Sequence, residues 1–175
     1  VPKNLQTDIE PLNLLPATEA ESELLKCCGS KEWARGVTAE RPFESVNDLI
    51  AKADRIWWSL EPNAWLEAFQ SHPKIGEKIA AAKIAAQSQQ WSEDEQSGIS
   101  NSAQQMIEAL AELNRSYEEK FGYIFIVCAS GKSSDEMLAI LRQRLENNPD
   151  EEFRIAGSEQ AKITQLRLRK LIDKR

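Results

Sequence analysis

Helical spacing dominates the hydrophobic pattern of this chain. Ser45 with Asp48 opens a segment whose apolar positions Val46, Leu49, Ile50, Ala53, Ile56, Trp57 and Leu60 fall on one helical face. Upstream, Thr18 followed by Glu21 predicts a capping box, and Gly29 predicts a stop after Leu24, Leu25 and Cys28. Pro62 suits the first turn of a helix carrying Trp65, Leu66 and Phe69. That helix is expected to end near Ser71 or His72, because the residue before Pro73 is pushed out of the α region. The Ala- and Lys-rich stretch from Glu77 to Gln90 predicts another helix. Ser92 and Glu95 mark a fresh start, and Ile99, Met106, Leu110, Leu113 and Tyr117 follow on one side until Phe121-Gly122.

Ile124 to Cys128 has strand propensity, but no second run exists to pair with it. It is expected to be an extended buried segment near 123–131. Ser133 with Glu136 caps a helix to about Asn147. Pro149 begins the approach to a last helix with Ile155, Ile163, Leu166, Leu168 and Leu171, in which Gly157 is expected to kink or fray the backbone. The expected fold class is all-α: a single-domain helical bundle of about seven to nine helices over residues 1–175.

Composition narrows the function. The 175 residues suit one ordinary domain, and 41% hydrophobic content suits a packed core. A net charge of −6 argues against wrapping nucleic acid. The C-terminal cations Arg167, Arg169, Lys170, Lys174 and Arg175 suit the negative end of a helix dipole. Cys27, Cys28 and Cys128 predict reduced thiols, and no spaced Cys/His pairs suggest a zinc site. No apolar run approaches membrane-spanning length and no signal peptide is visible. Val1 stands where a start methionine would, and Asp173-Lys174-Arg175 is not a Ser-Lys-Leu tail. A cytoplasmic location is expected, or a peroxisomal one if the native chain carries a signal not seen here.

His72 is the single histidine, set in Ser71-His72-Pro73-Lys74-Ile75-Gly76. Proline and glycine around it predict a fixed turn at a helix end, from which an imidazole titrating near neutrality can reach a cavity. A lone histidine is more often a surface or cap residue. Ser92-Glu93-Asp94-Glu95-Gln96 is first of all a capping box, although a helix N-terminus also attracts anions. The backbone of the stretch from Phe121 to Lys132 has no sheet partner and could serve a ligand; its plain alternative is a core strand. Ser130-Gly131-Lys132-Ser133 lacks the upstream glycine spacing of a phosphate loop. Arg144 and Arg167 lie beside leucines, where most arginines are solvated or paired, but one facing a cavity would grip a carboxylate. Trp57 and Trp58 cannot both face one core, so one belongs at an edge or interface.

These pieces, in order, resemble the 2-oxo-4-hydroxy-4-carboxy-5-ureidoimidazoline (OHCU) decarboxylases from roughly Leu12 to Leu171. The resemblance is carried by Cys27-Cys28-Gly29-Ser30, Arg41-Pro42-Phe43, Trp65-Leu66-Glu67-Ala68-Phe69, the His72-Pro73 block through Gly76, Ser92 through Gln96, Phe121-Gly122 through Ser133, and Leu166-Arg167-Leu168. It implies an all-helical homodimer without metal or organic cofactor that converts OHCU to (S)-allantoin and carbon dioxide in urate breakdown. It implies His72 as proton donor, with Glu95 as the second catalytic residue. Pro73, Ser92, Gln96, the backbone of Val127, Cys128, Ala129, Ser130 and Gly131, and Arg167 would bind substrate. It also implies coupling to hydroxyisourate hydrolase or urate oxidase, to which such enzymes are sometimes fused. Two other readings stand beside it: a hydrolase of a related ureide using Glu95 as base, and a non-catalytic helical module anchored by Trp57 or Trp58.

Overall fold

The computed structural model describes residues 8–73 and 93–174, with side chains of the second stretch described from Ser102 onward. Among the described residues there are eight helices and no strand. They are α1 (Glu10–Leu14), α2 (Ala17–Leu25), α3 (Lys31–Ala39), α4 (Val46–Ser59), α5 (Pro62–Gln70), α6 (Glu93–Phe121), α7 (Ser134–Leu145) and α8 (Pro149–Asp173). The all-α expectation holds. The helix expected over 77–90 lies outside the described residues. None of the described helices is long and apolar enough to cross a membrane.

The chain divides into two compact units. One comprises the residues up to His72 together with those from Gly157 onward; the other runs from Pro73 to Ala156. The division falls inside α8.

In the first unit, local rules set most helix ends. Ser45 accepts from the Asp48 N–H, Pro62 opens α5, and Ser71 closes it, as the pattern predicts. Three expectations are revised. Helix α2 starts after Pro16, with no side-chain cap, so Thr18 lies inside the first turn. It also ends at Leu25, where the Lys26 N–H turns back to the Glu23 and Leu24 carbonyls, well before Gly29. Helix α3, short and carrying Gly36, was not predicted; Ser30 caps it by accepting from the Trp33 N–H.

The core of this unit is built on tryptophans. Trp33, Trp57 and Trp65 are buried, and each indole N–H finds a backbone carbonyl: Ala53 at 3.0 Å, Gly157 at 3.0 Å and Trp57 at 2.9 Å. This satisfies the polar end of a large apolar ring. Trp57 and Trp65 stack with centroids 5.0 Å apart, whereas Trp58 is 45% exposed, which settles which of the neighbours faces out. Arg41-Pro42-Phe43 has a structural task. The Asn13 amide exchanges two hydrogen bonds with the Phe43 backbone, and the Arg41 guanidinium donates to the carbonyls of Leu12 and Leu15 at the end of α1.

Gly157 does not fray α8, which is helical throughout. Its role is space: a Cβ there would lie 2.3–2.8 Å from the ring of Trp65. That ring cannot yield, being stacked on Trp57 and tied through its N–H. Gly157→Ala is therefore expected to destabilise the chain by about 1–3 kcal/mol, the usual cost of overpacking, even though alanine is the better helix former by about 1 kcal/mol. Urea unfolding checks it; an unchanged midpoint would mean the tryptophan pair can shift.

In the second unit, α6 ends at Phe121, where Gly122 takes φ +83°. Leu110 and Tyr117 of α6 pack with Phe125, Val127, Met137, Leu138 and Leu141. The run 124–128 is neither helix nor strand, and residues 125–128 are buried. Ser133 and Glu136 form the predicted capping box of α7.

A charged knot holds this unit together. Arg144 is 5% exposed and Glu152 fully buried. The Arg144 Nε donates to Glu152 Oε1 at 2.7 Å, and its Nη2 lies 2.5 Å from the same oxygen. Its Nη1 donates to the Ile126 carbonyl at 2.6 Å, and the guanidinium stacks 4.6 Å from the Phe125 centroid. Tyr117 and Asn147 complete the carboxylate's shell at 2.6 and 2.9 Å. Burial and that carboxylate hold the Tyr117 phenol far above its ordinary range. Arg144 thus grips a carboxylate, but one of the protein's own.

Candidate active site

The end of α5 delivers His72 to the interior of the first unit. Ser71 and His72 fold back on the last turn of α5, their N–H groups donating to the Ala68 and Phe69 carbonyls. His72 is 9% exposed. The loop 27–30 passes so close that a Cβ on Gly29 would sit 2.4 Å from Ser71 Cβ. Only glycine fits there, which gives the Cys-Cys-Gly-Ser run its spatial meaning.

Facing this corner are three residues of α8 at positions i, i+4 and i+7: Gln160, Thr164 and Arg167. That spacing puts them one above another on a single helix face. His72 Nε2 lies 2.6 Å from Gln160 Oε1. The Gln160 amide nitrogen donates to Thr164 Oγ1 at 3.1 Å. Thr164 in turn lies beside Cys28. Gln160 and Cys28 are fully buried, Thr164 nearly so, and Arg167 half-buried.

Electrostatics sorts these groups. Burial depresses the His72 pKa below its ordinary value; the Gln160 hydrogen bond opposes this and the Arg167 cation adds to it. The resting imidazole is therefore neutral at pH 7. Burial pushes the thiols of Cys27 and Cys28 up to about 11, outweighing Arg167. They stay protonated and are not poised as nucleophiles. None of the three cysteines is in a disulfide.

The other expected site residues belong to the second unit. Pro73 follows His72 and is exposed. Ser92 lies outside the described residues, so the cap predicted with Glu95 does too. Glu95 and Gln96 fall in the first turn of α6, with side chains outside the described set. Val127 and Cys128 are buried in the second unit, Ala129 is half-buried, and Ser130 and Gly131 form an exposed turn. The expectation of open backbone along this run is revised for its carbonyls. Those of Ile126, Cys128 and Ala129 accept from Arg144, the Lys132 ammonium and the Lys132 N–H.

Gln160 and Thr164 were not singled out from sequence. The signal was there: they occupy buried positions in a stripe that continues through Ala156, Leu168 and Ile172. A polar residue on a core stripe must find a polar partner. No group of three or more His, Cys, Asp or Glu residues able to hold a metal occurs among the described residues.

Comparison with known proteins identifies the family. A uric acid degradation bifunctional protein of Arabidopsis thaliana is 38% identical over 86% of the chain and 47% of its own length. A second bifunctional relative, from Bacillus sp., is 29% identical over 93% of the chain and 32% of its own length. The chain thus spans less than half of either. The OHCU decarboxylase of Amia calva is 31% identical over 79% of both chains. A crystal structure of OHCU decarboxylase in the presence of (S)-allantoin superposes with a TM-score of 0.69 at 38% identity, covering 86% of this chain and 97% of that one. Residues 13–169 match the family described as OHCU decarboxylase, and to that family this chain belongs.

Proposed function

We propose that this chain decarboxylates OHCU to (S)-allantoin in urate breakdown, with His72 handling the proton. The observation that carries this reading is the 38% identity and shared fold across nearly the whole of the OHCU decarboxylase crystallised with (S)-allantoin. A buried neutral imidazole beside a guanidinium supports it chemically.

The reaction needs little beyond positioning. The scissile carbon carries a carboxylate and a hydroxyl beside an imine-type ring carbon. As carbon dioxide leaves, the bonding pair spreads into the ring. One proton is taken up, the hydroxyl becomes a carbonyl, and protonation of one face sets the stereochemistry. Arg167 would bind the charged oxygens. The arriving carboxylate would also offset the Arg167 cation, favouring imidazolium when substrate is bound. Glu95 would orient substrate or imidazole. Pro73, Ser92 and Gln96 would line the site, and N–H donors of Val127 through Gly131 would stabilise developing charge. A homodimer, one working domain over residues 1–175 and a cytoplasmic or peroxisomal location belong to the same reading. The bifunctional relatives support coupling to another step of uric acid degradation.

The test is carbon dioxide release from freshly generated OHCU, with a blank for uncatalysed loss and chiral analysis of the allantoin. Because the ring itself accepts the electron pair, full activity is expected after exhaustive chelation. Activity lost to chelator and restored by zinc would overturn the cofactor-free mechanism. A chain that hydrolyses a ureide without releasing carbon dioxide would overturn the whole reading.

A further inference from the structure

Two hydrogen bonds assign more than a neighbourhood to His72. Gln160 sits between the imidazole and Thr164, presenting its oxygen to His72 Nε2 at 2.6 Å and its nitrogen to Thr164 Oγ1 at 3.1 Å. An amide oxygen only accepts, so the ring nitrogen facing it must carry the hydrogen. A neutral imidazole has one N–H, so Nδ1 is then the unprotonated nitrogen.

We propose that Gln160 is a positioning residue that holds His72 as the Nε2–H tautomer and leaves Nδ1 as the atom that exchanges the proton with substrate. Thr164 fixes the amide by accepting from its nitrogen, and lies beside Cys28 of the loop before α3. The inference rests on the functional reading above. It adds which ring atom works and what aims it. Per turnover, the carbon–carbon bond to the carboxylate breaks and carbon dioxide leaves. The electron pair passes into the ring, whose imine nitrogen takes the proton that the hydroxyl gives up as its oxygen becomes a carbonyl. One solvent proton loaded on Nδ1 is delivered to ring carbon, returning Nδ1 to its lone pair. Nε2 keeps its hydrogen throughout, and in the imidazolium state the same bond to Gln160 becomes charge-assisted.

The unusual leverage of this chain is that it holds a single histidine. Nitrogen-15 spectra of this chain therefore report one imidazole without ambiguity. The parent is expected to show the Nε2–H tautomer at neutral pH. Gln160→Leu is expected to redistribute the tautomers and to lower kcat about tenfold with KM little changed, as loss of one oriented hydrogen bond would do. Gln160→Glu restores an acceptor and adds a charge. It should keep the tautomer, recover kcat relative to the leucine variant, and move the His72 titration upward against the opposing Arg167 cation, with the Cys27 and Cys28 thiols neutral across that range. A purely structural role for Gln160 would move stability but neither the tautomer nor the titration.

An Nδ1–H tautomer in the parent, or the same tautomer in Gln160→Leu as in the parent, overturns the assignment. If the parent is active while either holds, Gln160's role fails and the functional reading stands. If the parent releases no carbon dioxide, the functional reading fails on its own and Nδ1 loses its role, whatever the spectra show.

Discussion

Replacing His72 by asparagine is expected to leave a folded chain and to cut turnover by about 10²–10⁴-fold, the usual contribution of a positioned proton donor. Asparagine keeps a polar amide in a corner lined by Gln160, Thr164 and Cys28, so the fold has little reason to fail. It cannot carry a proton at working pH. Stability against pH gives an independent check. The folded chain binds a proton on His72 less readily than the unfolded chain, whose imidazole titrates near 6.5. Between that value and the lower folded one, the unfolded state holds more protons, so stability rises with pH and falls on acidification. The parent should therefore lose stability as pH drops below about 6.5, and the asparagine variant should lose less. Undiminished turnover in the variant, measured above the uncatalysed blank, would remove His72 from the chemistry.

Arg144→Met is expected to be the most damaging change to the fold, by about 3–5 kcal/mol. Methionine fills much of the volume, so the loss comes from charge and not from a cavity. Glu152 would remain fully buried with its cation gone, and the Ile126 carbonyl would lose its 2.6 Å donor. Tyr117 and Asn147 still donate to the carboxylate but carry no charge. Adding Glu152→Met should restore part of the stability, because it removes the orphaned carboxylate. Recovery stays incomplete, since Tyr117 and Asn147 then lack their acceptor. Urea unfolding of the two single variants and the double variant measures the coupling directly. A cost below about 1 kcal/mol for Arg144→Met, the range of a solvent-exposed pair, would mean the knot is not a dry one.

Much of the secondary structure was legible because its causes are local. The end of α5 follows from Pro73, the start of α4 from Ser45, and the start of α7 from the Ser133–Glu136 box. Each is decided within one turn of chain. The failures have equally plain reasons. Thr18 had the chemistry of a cap, but Pro16 began the helix first. Helix α3 is short and carries a glycine, so its periodic signal is weak until Trp33 and Val37 are seen to be buried.

Sequence alone determined that the chain is helical, that 124–128 stands outside the helices without a partner strand, and that His72 is held by a turn at a helix end. Periodicity, proline sterics and side-chain caps act over a few residues, so the order of amino acids suffices to set them. Only the tertiary structure decided what each special residue is for. Gly157 looked like a helix defect and is the seat of Trp65. Arg144 looked able to take a ligand and is spent on Glu152, while Gln160 and Thr164, unremarked among helical residues, became the mounting of His72. The physical reason is burial. A buried polar or oversized group must be matched by a partner or a vacancy that lies 88 residues away for His72 and Gln160, and no local pattern records that distance.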